Sequence, residues 1–186
     1  MRQGASYAAI SLYFRVWFSI KDANVNYRKA LALVVLLAAA TSVGSFYAQY
    51  VQGLNPCPLC IIQRVAVMAT GLMALLCLLW PLAKQWGRTA AALLASMAPL
   101  GGLGVAFYQI WLQSLPQMEQ PSCGAPWTFR LREAPLFDWY EPVIRGTGNC
   151  GVVERVFGVP LPIWSALFFS AVLLWLWLMW WRNRRA

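Results

Sequence analysis

A chain of 186 residues that is 60% hydrophobic and 11% charged is no ordinary soluble domain, where apolar residues make up about 45–50% and charged ones about 25%. Its net charge of +9 would point to a nucleic-acid partner in a soluble protein. Here the basic residues flank long apolar runs, which argues against nucleic acid and for a lipid surface.

Taken in chain order, residues 1–29 form a basic N-terminal extension with Arg2, Arg15, Lys21, Arg28 and Lys29 against a single acid, Asp22. Its stretch "SYAAISLYFRVWFSI" is apolar but interrupted by Arg15, too short to span, and without a small-residue cleavage site. It reads as an interfacial or disordered extension rather than a removable signal peptide. Four apolar runs follow, at about residues 30–50, 59–80, 89–112 and 161–181. Each meets the length of about 18 residues that marks a membrane span. The connection between the second and third carries Lys84 and Arg88, and the tail at 182–186 carries Arg182, Arg184 and Arg185.

Four crossings put all those cations on one side. The long connection at 113–160 has Arg130, Arg132 and Arg145, and with Arg155 these face five acids. This is the positive-inside pattern, so both termini are expected in the cytoplasm. The expected fold is an all-α membrane protein, a four-transmembrane-helix bundle with a long periplasmic loop between helices 3 and 4.

That topology sorts the five cysteines. Cys57 and Cys60 lie at the outer end of the second span, and Cys123 and Cys150 lie in the long outer loop. In a bacterium the shared face is the periplasm, where disulfides persist. Cys77 lies 17 residues beyond Cys60 on the second helix. That is roughly 25 Å of helix, too far for a disulfide, so Cys77 reads as a small buried hydrophobe. The other four allow three readings: two structural disulfides, a four-thiolate zinc site, or catalytic thiol–disulfide exchange. Against zinc, Cys123 and Cys150 are not in a CxxC spacing, and the chain contains no histidine.

The stretch "NPCPLCIIQR", residues 55–64, weighs on that choice. Pro58 suits a first helical position, which would set Cys57 at the helix N-cap, facing unpaired N–H groups that lower a thiol pKa. Arg64 follows Cys60 by four residues and shares its helix face. A cation just inside hydrocarbon either snorkels to the headgroups or marks a functional site. Beside two cysteines it would stabilise a thiolate or an anionic partner such as a reduced quinone.

"CPLCIIQR" at the start of a second span resembles the signature of the DsbB family of inner-membrane thiol:quinone oxidoreductases. The resemblance covers nearly the whole chain after residue 26: four spans, the CxxC, an outer loop with two further cysteines, and a basic tail. It implies that Cys123 and Cys150 form a shuttle disulfide for a DsbA-type periplasmic thiol oxidase, with Cys123 the position attacked. Electrons would pass to the Cys57–Cys60 pair and on to a quinone, ubiquinone ahead of menaquinone, engaged by Cys60 and supported by Arg64. The bacterial periplasm is kept oxidising by a relay of this kind rather than by a redox buffer.

The loop composition agrees. "QPSCGAP" favours an extended segment suited to a partner's groove, and "FRLREAPLFDWY" suits the membrane surface. Gly101, Gly102 and Gly104 suggest close packing or a kink in the third span. With no histidine, proton delivery to a quinone would need water, a thiol or another acid, and Gln63 has no assignable role. A vitamin K epoxide reductase-like protein is the alternative within redox chemistry, but there the loop cysteines precede the CxxC. A non-catalytic membrane protein stapled by two disulfides is the alternative outside it, and it gives Pro58 and Arg64 no purpose.

Overall fold

The computed structural model describes residues 3–184, with side chains from residue 26 onward. The backbone of the 1–29 extension is helical from Gln3 and runs into the first span, which does not fit its disordered alternative, while an interfacial placement of residues 1–25 lies outside the described side chains. Four long helices dominate: α1 (Gln3–Tyr50), α2 (Pro58–Leu78), α3 (Gln85–Ser114) and α6 (Leu161–Arg184). Each contains a segment long and apolar enough to cross a membrane, which in α1 is Asn26–Tyr50. The chain is an all-α, four-span membrane protein.

The helices outrun the apolar stretches where polar residues suit helix ends. α3 begins at Gln85, whose Oε1 accepts from Arg88 Nη2 at 3.0 Å. At 1.5 Å per residue a 30-residue helix is about 45 Å long, against a hydrocarbon core of about 30 Å, so its ends protrude into the interfaces. α6 runs on to Arg184, with Arg182 and Arg184 in the last turn, where cations complement the helix dipole.

The helices form a ring in the order α1, α2, α3, α6, closed by contact between α6 and α1. Inside it, at the end remote from Cys57, Tyr27, Leu31, Val34, Ala74, Cys77, Ala92, Val172 and Leu176 make one apolar cluster. Small residues let the backbones approach: Ala91, Ala92 and Ala95 of α3 are no more than 1% exposed. Gly102 is a close approach between α3 and α6, because a Cβ there would fall on the ring of Phe169. Gly101 and Gly104 face open space, so one of the three glycines does the packing, and α3 continues through Pro99 as a helix. Leucines such as Leu36, Leu72, Leu100 and Leu174 point outward, where lipid rather than water surrounds them.

The connection between α3 and α6 holds two short helices, α4 (Trp127–Arg130) and α5 (Phe137–Ile144), and a hairpin, β1 (Arg155–Val156) with β2 (Val159–Pro160). The hairpin turn has Phe157 and Gly158 both at positive φ, 53° and 79°. That is the backbone sense that suits the twist of a two-residue hairpin. Trp164 Nε1 donates to Val156 O at 3.1 Å, tying the hairpin to the first turn of α6.

Candidate functional site

The site begins where α1 hands over to α2. Gly53, at φ +72°, ends α1 in a conformation that glycine adopts without a steric penalty. Four residues later Cys57 is the N-cap of α2, with Pro58 starting the helix. The backbone N–H of Cys60 donates to Cys57 Sγ at 3.2 Å, so sulfur sits where a serine or aspartate oxygen usually caps a helix. The two sulfurs are 2.7 Å apart, and both residues are free cysteines. The helix end alone would lower the Cys57 pKa. Instead, its hydrogen bond to Cys60 and its burial push the Cys57 thiol up, because the neutral form is the one stabilised.

Gln109 of α3 completes this cluster, and nothing in the sequence reading anticipated it. It is 2% exposed, and its Nε2 lies 3.4 Å from Cys57 Sγ and 3.3 Å from Cys60 Sγ. Its Oε1 accepts from Gln63 Nε2 at 2.7 Å. Gln63 therefore turns the Gln109 amide so that its NH2 faces the two sulfurs. A donor aimed at two sulfurs stabilises whichever of them carries negative charge. The available signal was a polar residue inside the apolar run at 89–112, which is costly in a span and so marks a site by default.

Arg64 is 7% exposed and reaches across to α1 and the long loop. Nε donates to Ser45 Oγ at 2.8 Å, and Nη1 donates to Gln49 Oε1 at 2.5 Å and to Val143 O at 3.3 Å. The guanidinium lies over the ring of Phe46, 4.8 Å from its centroid. These partners fix the cation inside the bundle rather than letting it extend to the headgroups. Cys60 and Arg64 both line a cavity of about 310 Å³ between α1, α2, α6 and the hairpin, with Ser45, Gln49, Trp164 and Phe168. A mostly apolar hollow with a few convergent polar groups is the usual form of a small-molecule site.

Cys123 and Cys150 are joined as a disulfide, with Cα atoms 6.1 Å apart. The two pairs meet: Cys57, Leu112 and Cys150 form one buried cluster, with Cys60 and Cys123 packed against it. Cys150 is held there by a latch between the loop and the residues before α2. Asn55 Nδ2 donates to Thr147 Oγ1, and Thr147 N–H returns to Asn55 Oδ1, both at 2.9 Å. Gly148 N–H donates to Pro56 O at 3.2 Å, and a Cβ at Gly146 or Gly148 would strike the carbonyl oxygen of Pro56 or Asn55. Gln113 Nε2 donates to Cys150 O at 3.1 Å, and Trp127 Nε1 to Pro58 O at 3.0 Å. Cys123 is only partly buried, between exposed Ser122 and Gly124.

With the paired cysteines, the cavity and the four helices in view, comparison with known proteins is direct. The chain matches the family model described as "Disulfide bond formation protein DsbB" over residues 27–179. It belongs to the DsbB family. Relatives named "Disulfide bond formation protein B" include one from Neisseria gonorrhoeae, 49% identical over 158 residues, covering 85% of this chain and 98% of the relative. A second, from Chromobacterium violaceum, is 40% identical over 167 residues, covering 87% and 98%. A third, from Acinetobacter baylyi, is 37% identical over 150 residues, covering 80% and 88%. The DsbB match begins at Tyr27, inside α1, so residues 1–26 of the basic extension lie outside it.

Proposed function

We propose that this DsbB-family protein reoxidises a DsbA-type thiol oxidase in the periplasm and passes the electrons to a membrane quinone. The protein would sit in the bacterial inner membrane, with both termini cytoplasmic and the four site cysteines at the periplasmic end. One observation carries the reading: the two cysteine pairs meet around Leu112, and Cys60 also opens on the cavity that Arg64 lines.

The cavity suits a quinone. Its walls are largely apolar side chains, while Ser45, Gln49 and Arg64 supply polar atoms on one side. Arg64 and Cys60 would hold the ring, which when bound supplies a two-electron, two-proton acceptor. Ubiquinone is the first candidate and menaquinone the second.

The protein's own residues account for the rest. A thiolate of the reduced oxidase attacks Cys123 Sγ, the more accessible half of the loop disulfide. A mixed disulfide forms and the Cys150 thiolate leaves. The oxidase's second thiolate then resolves the mixed disulfide, leaving it oxidised and the loop cysteines reduced. Cys150, packed with Cys57, exchanges inward with the oxidised Cys57–Cys60 pair. Gln109 donates to both sulfurs of that pair, so it supports negative charge on either as the exchange proceeds. Arg64, fixed by Ser45 and Gln49, holds positive charge on the cavity wall where negative charge develops on the acceptor.

The test is turnover. Purified protein given a reduced DsbA-type oxidase should reduce added ubiquinone, and Cys60→Ala or Cys123→Ala should abolish it. Turnover that survives both changes rules out the relay. Arg64→Ala should raise the quinone KM while leaving exchange at Cys123 intact; equal loss of both steps would make Arg64 a structural residue.

A further inference from the structure

The reading above leaves the protons unassigned. Joining the Cys57–Cys60 dithiol as a disulfide forms one S–S bond, breaks two S–H bonds and releases two electrons and two protons. A quinone takes up both electrons and both protons. Without histidine, the proton route is left to the thiols, water or another acid between the sulfurs and the acceptor.

Two hollows meet at Cys60. One is the cavity with Arg64, Ser45 and Gln49. The other is a small crevice under the thiol pair, lined by Cys57, Gln109 and Gln113 among others. Cys60, Glu154 and Leu161 line both, so they form the partition between thiols and cavity. Among the described residues lining the two hollows, Glu154 is the carboxylic acid. It is partly buried and shares a wall of both hollows with Cys60.

Its backbone explains this position. Glu154 directly precedes β1, and its carbonyl accepts from Leu161 N–H at 3.0 Å, closing the hairpin across the start of α6. The charged or titratable residues that line the two hollows with it are Cys57, Cys60 and Arg64. The cavity residues contributed by α1 and α6, such as Ser45, Gln49, Trp164 and Ser165, carry no charge.

We propose that Glu154 is the proton carrier of the site. Resting on the quinone reading, its carboxylate accepts the proton that leaves Cys60 Sγ and releases it into the cavity as the pair is oxidised. Glu154 ends each cycle as it began. The second proton leaves Cys57 Sγ as that sulfur bonds to Cys60, and the regenerated Glu154 carboxylate passes it to the quinone in the same way.

The test uses the full-length protein in detergent or nanodiscs, with Glu154→Gln and Glu154→Asp. In wild type and variants, three quantities are followed: ubiquinone reduction, mixed-disulfide formation at Cys123, and the rate at which iodoacetamide alkylates Cys60 in quinone-free reduced protein. General acid–base catalysis contributes about 100-fold or more, so Glu154→Gln should slow ubiquinone reduction by about that factor. Mixed-disulfide formation should stay within about twofold, and Glu154→Asp should recover much of the lost rate. Alkylation of Cys60 at neutral pH should become faster in Glu154→Gln, because a negative charge has left the neighbourhood of its thiolate. A structural role would not accelerate one reaction of Cys60 while slowing the other. Ubiquinone reduction within threefold of wild type, or unchanged alkylation, would overturn the assignment of Glu154. A wild-type protein that does not reduce ubiquinone at all would overturn the quinone reading itself.

Discussion

Helix α2 carries thiols at both ends, and their surroundings differ. At one end Cys57 and Cys60 share a helix cap, an amide donor from Gln109 and a wall of the cavity. At the other, Cys77 is 5% exposed among Leu31, Val34, Ala74 and Ala92, and its hydrogen bond to the Ala91 carbonyl is 3.7 Å long. Both ends are buried, so burial does not make a cysteine reactive. The difference lies in a second sulfur within reach, donors aimed at it, and a hollow into which charge can be passed. The same contrast holds for the bundle. The end with Cys77 is packed through small residues and apolar side chains, while the end with Cys57 trades packing for polar contacts and space.

Among substitutions that contrast the two ends of α2, removing Gln109's amide should produce the largest change. Hydrogen bonds to charged groups contribute about 1.5–3 kcal/mol, so Gln109→Leu should slow quinone reduction about tenfold or more while leaving the thermal midpoint near that of wild type. A large fall in stability with unchanged turnover would reverse the assignment. Gly102→Ala probes the packed end. Its Cβ would enter the ring of Phe169, and overpacking costs about 1–3 kcal/mol. The expected result is a lower thermal or denaturant midpoint with turnover per folded molecule retained. The smallest effect belongs to Cys77→Ala, with a cost of about 1 kcal/mol and turnover within about twofold. Loss of electron transfer in Cys77→Ala would erase the distinction between the two ends of α2.

Much of this was legible in the sequence because the signals are local. The four spans follow from uninterrupted apolar runs, and the placement of Cys57, Pro58, Cys60 and Arg64 follows from helical spacing within ten residues. What escaped depends on distant segments meeting. Gln109 is 49 residues from Cys60, and only the contact between α2 and α3 turns its amide into a sulfur ligand. Ser45 and Gln49 hold Arg64 from another helix. The latch pairs Asn55 with Thr147, 92 residues apart. Glu154 acquires a role only because the hairpin folds it onto the partition. The N-cap position of Cys57 was legible from Pro58, whereas its burial and its contact with the Cys60 sulfur, which push its thiol up, come from packing.

The latch between Asn55 and the 146–148 segment has a kinetic consequence. Two disulfide pairs free in solution would have to find each other by diffusion at every turnover. With Cys150 tethered within one apolar cluster with Cys57, the inward exchange is unimolecular, and its speed is set by an effective molarity that geometry alone provides. The 27 residues between Cys123 and Cys150 then divide the labour. The disulfide keeps Cys123 beside the latched Cys150, so in the proposed relay only its opening by a partner would release the Cys123 end. Loosening the latch would leave every sulfur in place chemically and still lower the local concentration of one reactant for the other.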